Sequence, residues 1–96
     1  MAKFIILGSF TDQGIKNVKG TTQRAKAFAD AAAQMGGRLD VWWTLGVYDW
    51  VAMAEAPDAA TVTSFLLQLG MQGNSRTSTL EAFDAAEFEK ILATLP

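Results

Sequence analysis

The stretch Trp42-Trp43-Thr44-Leu45-Gly46-Val47-Tyr48-Asp49-Trp50 holds all three tryptophans and the only tyrosine of the 96-residue chain. Leading into it, Leu39, Val41, Trp43 and Leu45 alternate with Arg38, Asp40, Trp42 and Thr44. A period of two is the signature of a β-strand with two different faces. After Gly46-Val47 the alternation resumes, with Tyr48, Trp50, Ala52 and Ala54 set against Asp49, Val51, Met53 and Glu55. Glycine in the first turn position suits a two-residue type II′ hairpin. The stretch therefore predicts strands over Arg38–Leu45 and Tyr48–Glu55, reversed at Gly46-Val47. Its tryptophans divide between the two faces, so one set enters a core and the other a partner surface or pocket wall.

The flanking segments supply the rest of an α+β fold. Upstream, Lys3–Phe10 reads as a strand that is apolar on both sides, with Phe4, Ile6, Gly8 and Phe10 opposite Ile5, Leu7 and Ser9. Such a strand lies centrally, with something covering each face. Thr11 or Asp12 caps a short helix over Ile15–Lys19, which Gly20 interrupts. Thr21 or Thr22 starts a second helix over Gln23–Met35, whose inward stripe is Ala25, Phe28, Ala29, Ala32 and Met35. Gly36-Gly37 ends it. Downstream, Pro57 stops the hairpin's return strand and Asp58 caps a helix over Ala59–Met71, with Val62, Phe65, Leu66 and Leu69 facing inward. Asn74–Phe83 is a fourth strand, polar through Arg76-Thr77-Ser78-Thr79. Asp84 and Glu87 form a capping box for a last helix, with Phe83 stapled to Phe88 and an apolar face of Phe88, Ile91, Leu92 and Leu95.

The order strand–helix–strand–strand–helix–strand, plus a C-terminal helix, predicts a ferredoxin-like βαββαβ domain spanning residues 1–96. Two helices would cover one face of a four-stranded antiparallel sheet. The other face, carrying Ile5, Leu7, Trp42, Val51 and Met53 beside Arg38 and Asp40, would be left for a second copy to cover. Composition agrees: 50% hydrophobic residues is a high share for so small a domain, and it implies apolar surface hidden between chains.

Composition also narrows the function. The net charge is −2 and the basic residues are scattered, which argues against nucleic-acid binding. No segment approaches the roughly 20 apolar residues of a membrane span. The absence of cysteine rules out disulfides and thiolate chemistry and fits the cytoplasm. The absence of histidine removes the commonest general base and metal ligand. The acids show no metal-ligand spacing, and Gly70-Met71-Gln72-Gly73-Asn74 lacks the lysine of a phosphate loop. Neither a metal nor a cofactor is expected.

Leu45-Gly46-Val47-Tyr48-Asp49, then Glu55-Ala56-Pro57-Asp58, then Gly73-Asn74-x-Arg76-Thr77-x-Thr79-Leu80-x-Ala82-Phe83 together resemble the GYD domain family. Thr11-Asp12-Gln13-Gly14-Ile15-Lys16, Arg24 and the Gly36-Gly37 break extend the resemblance over nearly the whole chain. The family comprises small, mostly bacterial proteins without a defined biochemical role. The resemblance implies a ferredoxin-like, dimeric α/β-barrel type of fold that oligomerises, and no agreed catalytic residues. Two departures stand out: Ser75 replaces a usual aliphatic residue, and Ser78 replaces a frequent acid.

Candidate chemistry gathers near the hairpin. Asp49 could accept a proton and Tyr48 could donate to a developing oxyanion. Equally, Asp49 could cap turn amides while Tyr48 packs across the hairpin. Arg76 could bind an anion through its planar fork, or pair with Asp40, Asp49 or Glu55. Thr77 and Thr79, in a row with Ser75 and Glu81, could line a pocket with hydroxyl donors. Trp42, Tyr48 and Trp50 would wall it, with Arg76, Thr77 and Thr79 as further ligand-binding candidates. The expected function is a homo-oligomeric small-ligand-binding or interaction protein with a polar and aromatic pocket near the hairpin. The alternative is a small cofactor-independent enzyme of monooxygenase or isomerase type, using Asp49, Tyr48 and Arg76.

Overall fold

The computed structural model describes every residue from Met1 to Pro96. Strands β1 (Ala2–Phe10), β2 (Arg38–Trp43), β3 (Trp50–Ala56) and β4 (Ser75–Ala82) form one sheet in the order β2-β3-β1-β4. Every neighbouring pair is antiparallel. Helix α1 (Asp12–Lys16) and a single 3₁₀ turn (Val18–Gly20) lead into α2 (Thr21–Gln34). Helix α3 (Ala59–Met71) connects β3 to β4, and α4 (Ala85–Leu92) follows β4. This is the ferredoxin-like arrangement that the element order predicts.

The register divides the strands into two faces as the alternation anticipates. Phe4 pairs with Ala54 and Ile6 with Ala52, while Ala54 pairs with Leu39 and Ala52 with Val41. These residues lie under α2 and α3, and Phe4, Ile6, Trp50, Ala52, Ala54, Ala56 and Val62 make up the core. Alanines along β3 keep that face shallow, so the helices settle close to the strands. Gly8 belongs to the same face. The Trp50 indole lies across it, and a side chain there would collide with the ring. Trp50 Nε1 donates to Ser75 Oγ at 3.3 Å, and Ser75 is itself buried. The departure at Ser75 thus has a cause: a buried indole N–H needs an acceptor.

The hairpin differs from the expected two-residue turn. Its register, Trp43 opposite Trp50, is the one a Gly46-Val47 turn would give. The ladder nevertheless stops there, and Thr44 to Asp49 form a loop. One further backbone bond, from Thr44 N to Asp49 O at 2.8 Å, follows the last strand pair, and Thr44 Oγ1 donates to the Tyr48 carbonyl at 2.6 Å across the neck of the loop. Leu45 and Val47 meet no packing partner and are almost fully exposed. Gly46 at φ +123° makes the reversal.

At the same end of the sheet, the loop after β1 is stitched to the loop before β4. Thr11 N donates to Asn74 O at 3.1 Å, Thr11 Oγ1 to Gly73 O at 2.5 Å, and Gln13 Nε2 to Gln72 O at 2.9 Å. Thr11 also caps α1, accepting from Gly14 N. Helix α1 therefore begins at Asp12, ahead of the expected Ile15. Helix α2 begins at Thr21 with Gly20 as its cap residue, so neither threonine acts as the side-chain cap.

The opposite end is looser. Asp84 caps α4 with the full reciprocal box that the sequence announces. None of the α4 residues is buried, and Phe88, Ile91, Leu92 and Leu95 are all exposed. The radius of gyration is 14.7 Å, against about 12.5 Å for a compact chain of this length. The molecule measures 52 × 31 × 19 Å, its thinnest dimension being one sheet and one helix layer.

Candidate functional site

Helix α2 packs on β2, and α3 on β3 and β4, with the two helix backbones standing apart. Between them, above the covered sheet face, runs an apolar cleft with a cavity of about 100 Å³. Its floor includes Val41 and Ala52, its walls Phe28 and Leu66, and its hairpin end Trp43 and Trp50. Small side chains create the space: Ala25 and Ala32 on α2 face Ala52 and Ala54 on the sheet. Both indole N–H groups are already satisfied, Trp43 Nε1 by Thr21 Oγ1 at 3.1 Å and Trp50 Nε1 by Ser75 Oγ. The rings therefore present only their apolar surfaces. Arg24 also lines the cleft; its Nη1 donates to the Asn17 carbonyl at 3.0 Å and no carboxylate lies within 4.0 Å of it.

The residues singled out in the sequence are distributed over three places. Trp50, Thr77 and Thr79 share the covered face, and of these only Trp50 reaches the cleft. Thr79 Oγ1 is buried without a hydrogen-bond partner. Trp42 and Arg76 belong to the open face, Trp42 on the outer strand β2 and Arg76 opposite Ser9 on β4. Tyr48 sits in the exposed hairpin loop. Asp49 follows it, with its N–H donating to Gly8 O at 2.8 Å and its Oδ2 accepting from Phe10 N at 2.7 Å. The carboxylate thus closes the end of β1, and no ion pair joins it to Arg76. Arg76 forms no salt bridge, and its guanidinium extends toward Gly70 at the end of α3. No group of three or more acidic side chains is placed to hold a metal ion.

Sequence reasoning missed Trp43, Arg24 and Phe28 as neighbours in a cleft. The signal was present in part. Trp43 shares the face of Leu39 and Val41, and Arg24 adjoins the Ala25–Phe28 stripe that predicts the buried side of α2.

The groups with shifted pKa values gather at the starts of α3 and α4, and none of them lines the cleft. Lys3 bridges Glu87 at 3.1 Å and Asp84 at 3.3 Å, and these acceptors raise its pKa, Glu87 contributing most. The Glu87 amide, hydrogen-bonded to Asp84, holds that carboxyl below its ordinary value. The Asp84 amide does the same for Glu87, with Lys3 second. Asp58 is lowered by the Thr61 amide and then by the Thr61 hydroxyl.

Comparison with known proteins agrees with this architecture. A "glutamine synthetase and cystathionine beta-lyase binding protein" of Thermus thermophilus is 36% identical over 89 residues, covering 91% of this chain and 94% of its own. The crystal structure of TTHA0845, also from Thermus thermophilus, superimposes with a TM-score of 0.55 at 26% identity, covering 88% of this chain and 96% of that one. The GYD domain matches residues 4–92, so the chain belongs to the GYD domain family.

Proposed function

We propose that this protein works by binding other proteins, and that its first partner is a second copy of itself. The observation that carries this reading is the open sheet face. Ile5, Leu7, Val51 and Met53 form its centre, extended by Trp42 at 55% exposure and Leu80 at 54%. Lys3, Glu55 and the Arg38–Asp40 pair (2.7 Å) border one end. An apolar centre inside a polar rim is the anatomy of a protein interface. A self-complementary patch suits a two-fold dimer, in which each copy covers the other's open sheet. The exposed stripe of α4 offers further apolar surface to such an assembly. The Thermus thermophilus relative is named for binding two enzymes, and by that likeness an enzyme surface is the second class of partner proposed here.

Light scattering over a concentration series tests the first partner. The expected result is a dimer or higher oligomer at tens of micromolar, converted to folded monomer by Val51→Glu. A wild-type protein that stays monomeric at that concentration overturns the proposal.

A further inference from the structure

We propose that the cleft between α2 and α3 is a binding site for a small aromatic carboxylate, with Arg24 receiving its charged group. This lies on the face of the sheet opposite the proposed dimer surface and does not depend on it. Three observations converge. The cavity of about 100 Å³ is on the scale of one small ring, since an apolar cavity of roughly 150 Å³ holds benzene. Its hairpin end is built from two indoles whose N–H groups are engaged with Thr21 and Ser75, leaving aromatic faces and edges toward the space. Such surfaces favour another ring in stacked or edge-to-face contact.

The third observation is charge. Arg24 is half-buried, lines the cleft and has no acidic partner, although the protein carries ten acidic residues. A single bond, from Nη1 to the Asn17 carbonyl, anchors the guanidinium. Its other N–H groups have no protein acceptor. A planar fork with donors to spare matches a carboxylate, which can accept two of them side by side. An uncharged ring would fill the apolar space and leave the fork unused.

The probe is phenylacetate, with phenylacetamide as its uncharged counterpart, titrated into ¹⁵N-labelled full-length protein. Three indole N–H signals report position. Those of Trp43 and Trp50 should shift and saturate, while that of Trp42, on the other face, stays in place. Phenylacetate should bind at least tenfold more tightly than phenylacetamide, and Arg24→Gln should abolish that preference while keeping the amide's affinity. Ala25→Leu, which fills the cleft from α2, should remove both. Failure of phenylacetate to saturate either signal at tens of millimolar overturns the proposal. So does a shift centred on Trp42, or a preference for the carboxylate that survives Arg24→Gln. A dimer seen by light scattering under any of these outcomes leaves the self-association reading standing.

Discussion

The two faces of the sheet are made from the same strands, one residue apart, and their fates differ. On β1, Phe4 and Ile6 are 3% and 5% exposed, while their neighbours Ile5 and Leu7 are only partly buried on the open side. On β3 the contrast is in size. Beyond Trp50, the covered side carries Ala52, Ala54 and Ala56; the open side carries Val51, Met53 and Glu55. Along β3 after Trp50, small residues sit under the helices, and larger apolar ones sit where the chain provides no cover. Bulk that the chain does not use in its own core is what the proposed self-association would bury. The covered face has the converse property: its small residues leave a cleft that α2 and α3 do not close.

The largest test of this contrast sets two tryptophans against each other. Trp50→Ala removes a ring 8% exposed and packed on Gly8, and should cost about 3–5 kcal/mol in urea unfolding. Trp42→Ala on the open face should change protomer stability by only about 0.5 kcal/mol in dilute solution. Under the proposed self-association the gap should narrow as concentration rises, because Trp42 would then contribute through the interface. Equal costs in dilute solution would break the two-face description.

A smaller effect sharpens the covered face. Ser75→Ala leaves the Trp50 N–H buried without an acceptor, a loss of about 1–3 kcal/mol. In a Trp50→Phe background the same change should cost much less, since no donor remains to be orphaned. A double-mutant cycle by chemical denaturation reads this coupling, and additive costs would mean that the hydrogen bond carries no stability.

The smallest effect concerns α4. Asp84 and Glu87 have lowered pKa values, so their contribution is present above the ordinary carboxylate range and is lost as pH falls through the folded values. The raised Lys3 is charged throughout that range, and its share is lost only as alkaline pH passes its folded value. The helical signal of α4 should therefore fray in acid, starting as pH drops below about 4, while the sheet persists. Circular dichroism compared with Asp84→Asn would show this; an unchanged acid profile in that variant would remove the capping carboxylate as the cause.

Much of the fold was legible because it rests on local periodicity. Alternation assigned Phe4 and Ile6 to one face and Ile5 and Leu7 to the other. The capping box at Asp84 and Glu87 needed only residues three apart. The hairpin register was readable too, but the strands part into a loop whose neck Thr44 ties to the Tyr48 and Asp49 carbonyls, a closure that alternation does not register. The site was less legible. Tyr48, Asp49 and Arg76 drew attention as polar residues near a turn, yet Asp49 closes the end of β1 and Arg76 reaches the end of α3.

The sequence alone therefore determined the order of the elements, which residues share a face, and that one sheet face would lack cover within a protomer. Pattern and caps act over a few residues, so they can be read along the chain. Tertiary structure alone decided what the candidate side chains meet. Asp49 meets an amide 39 residues away and the Trp50 indole a hydroxyl 25 residues away. The cleft exists because two helices pack on different strands of the sheet over a row of alanines. Distances of that kind are set by how layers pack, and no local pattern encodes them.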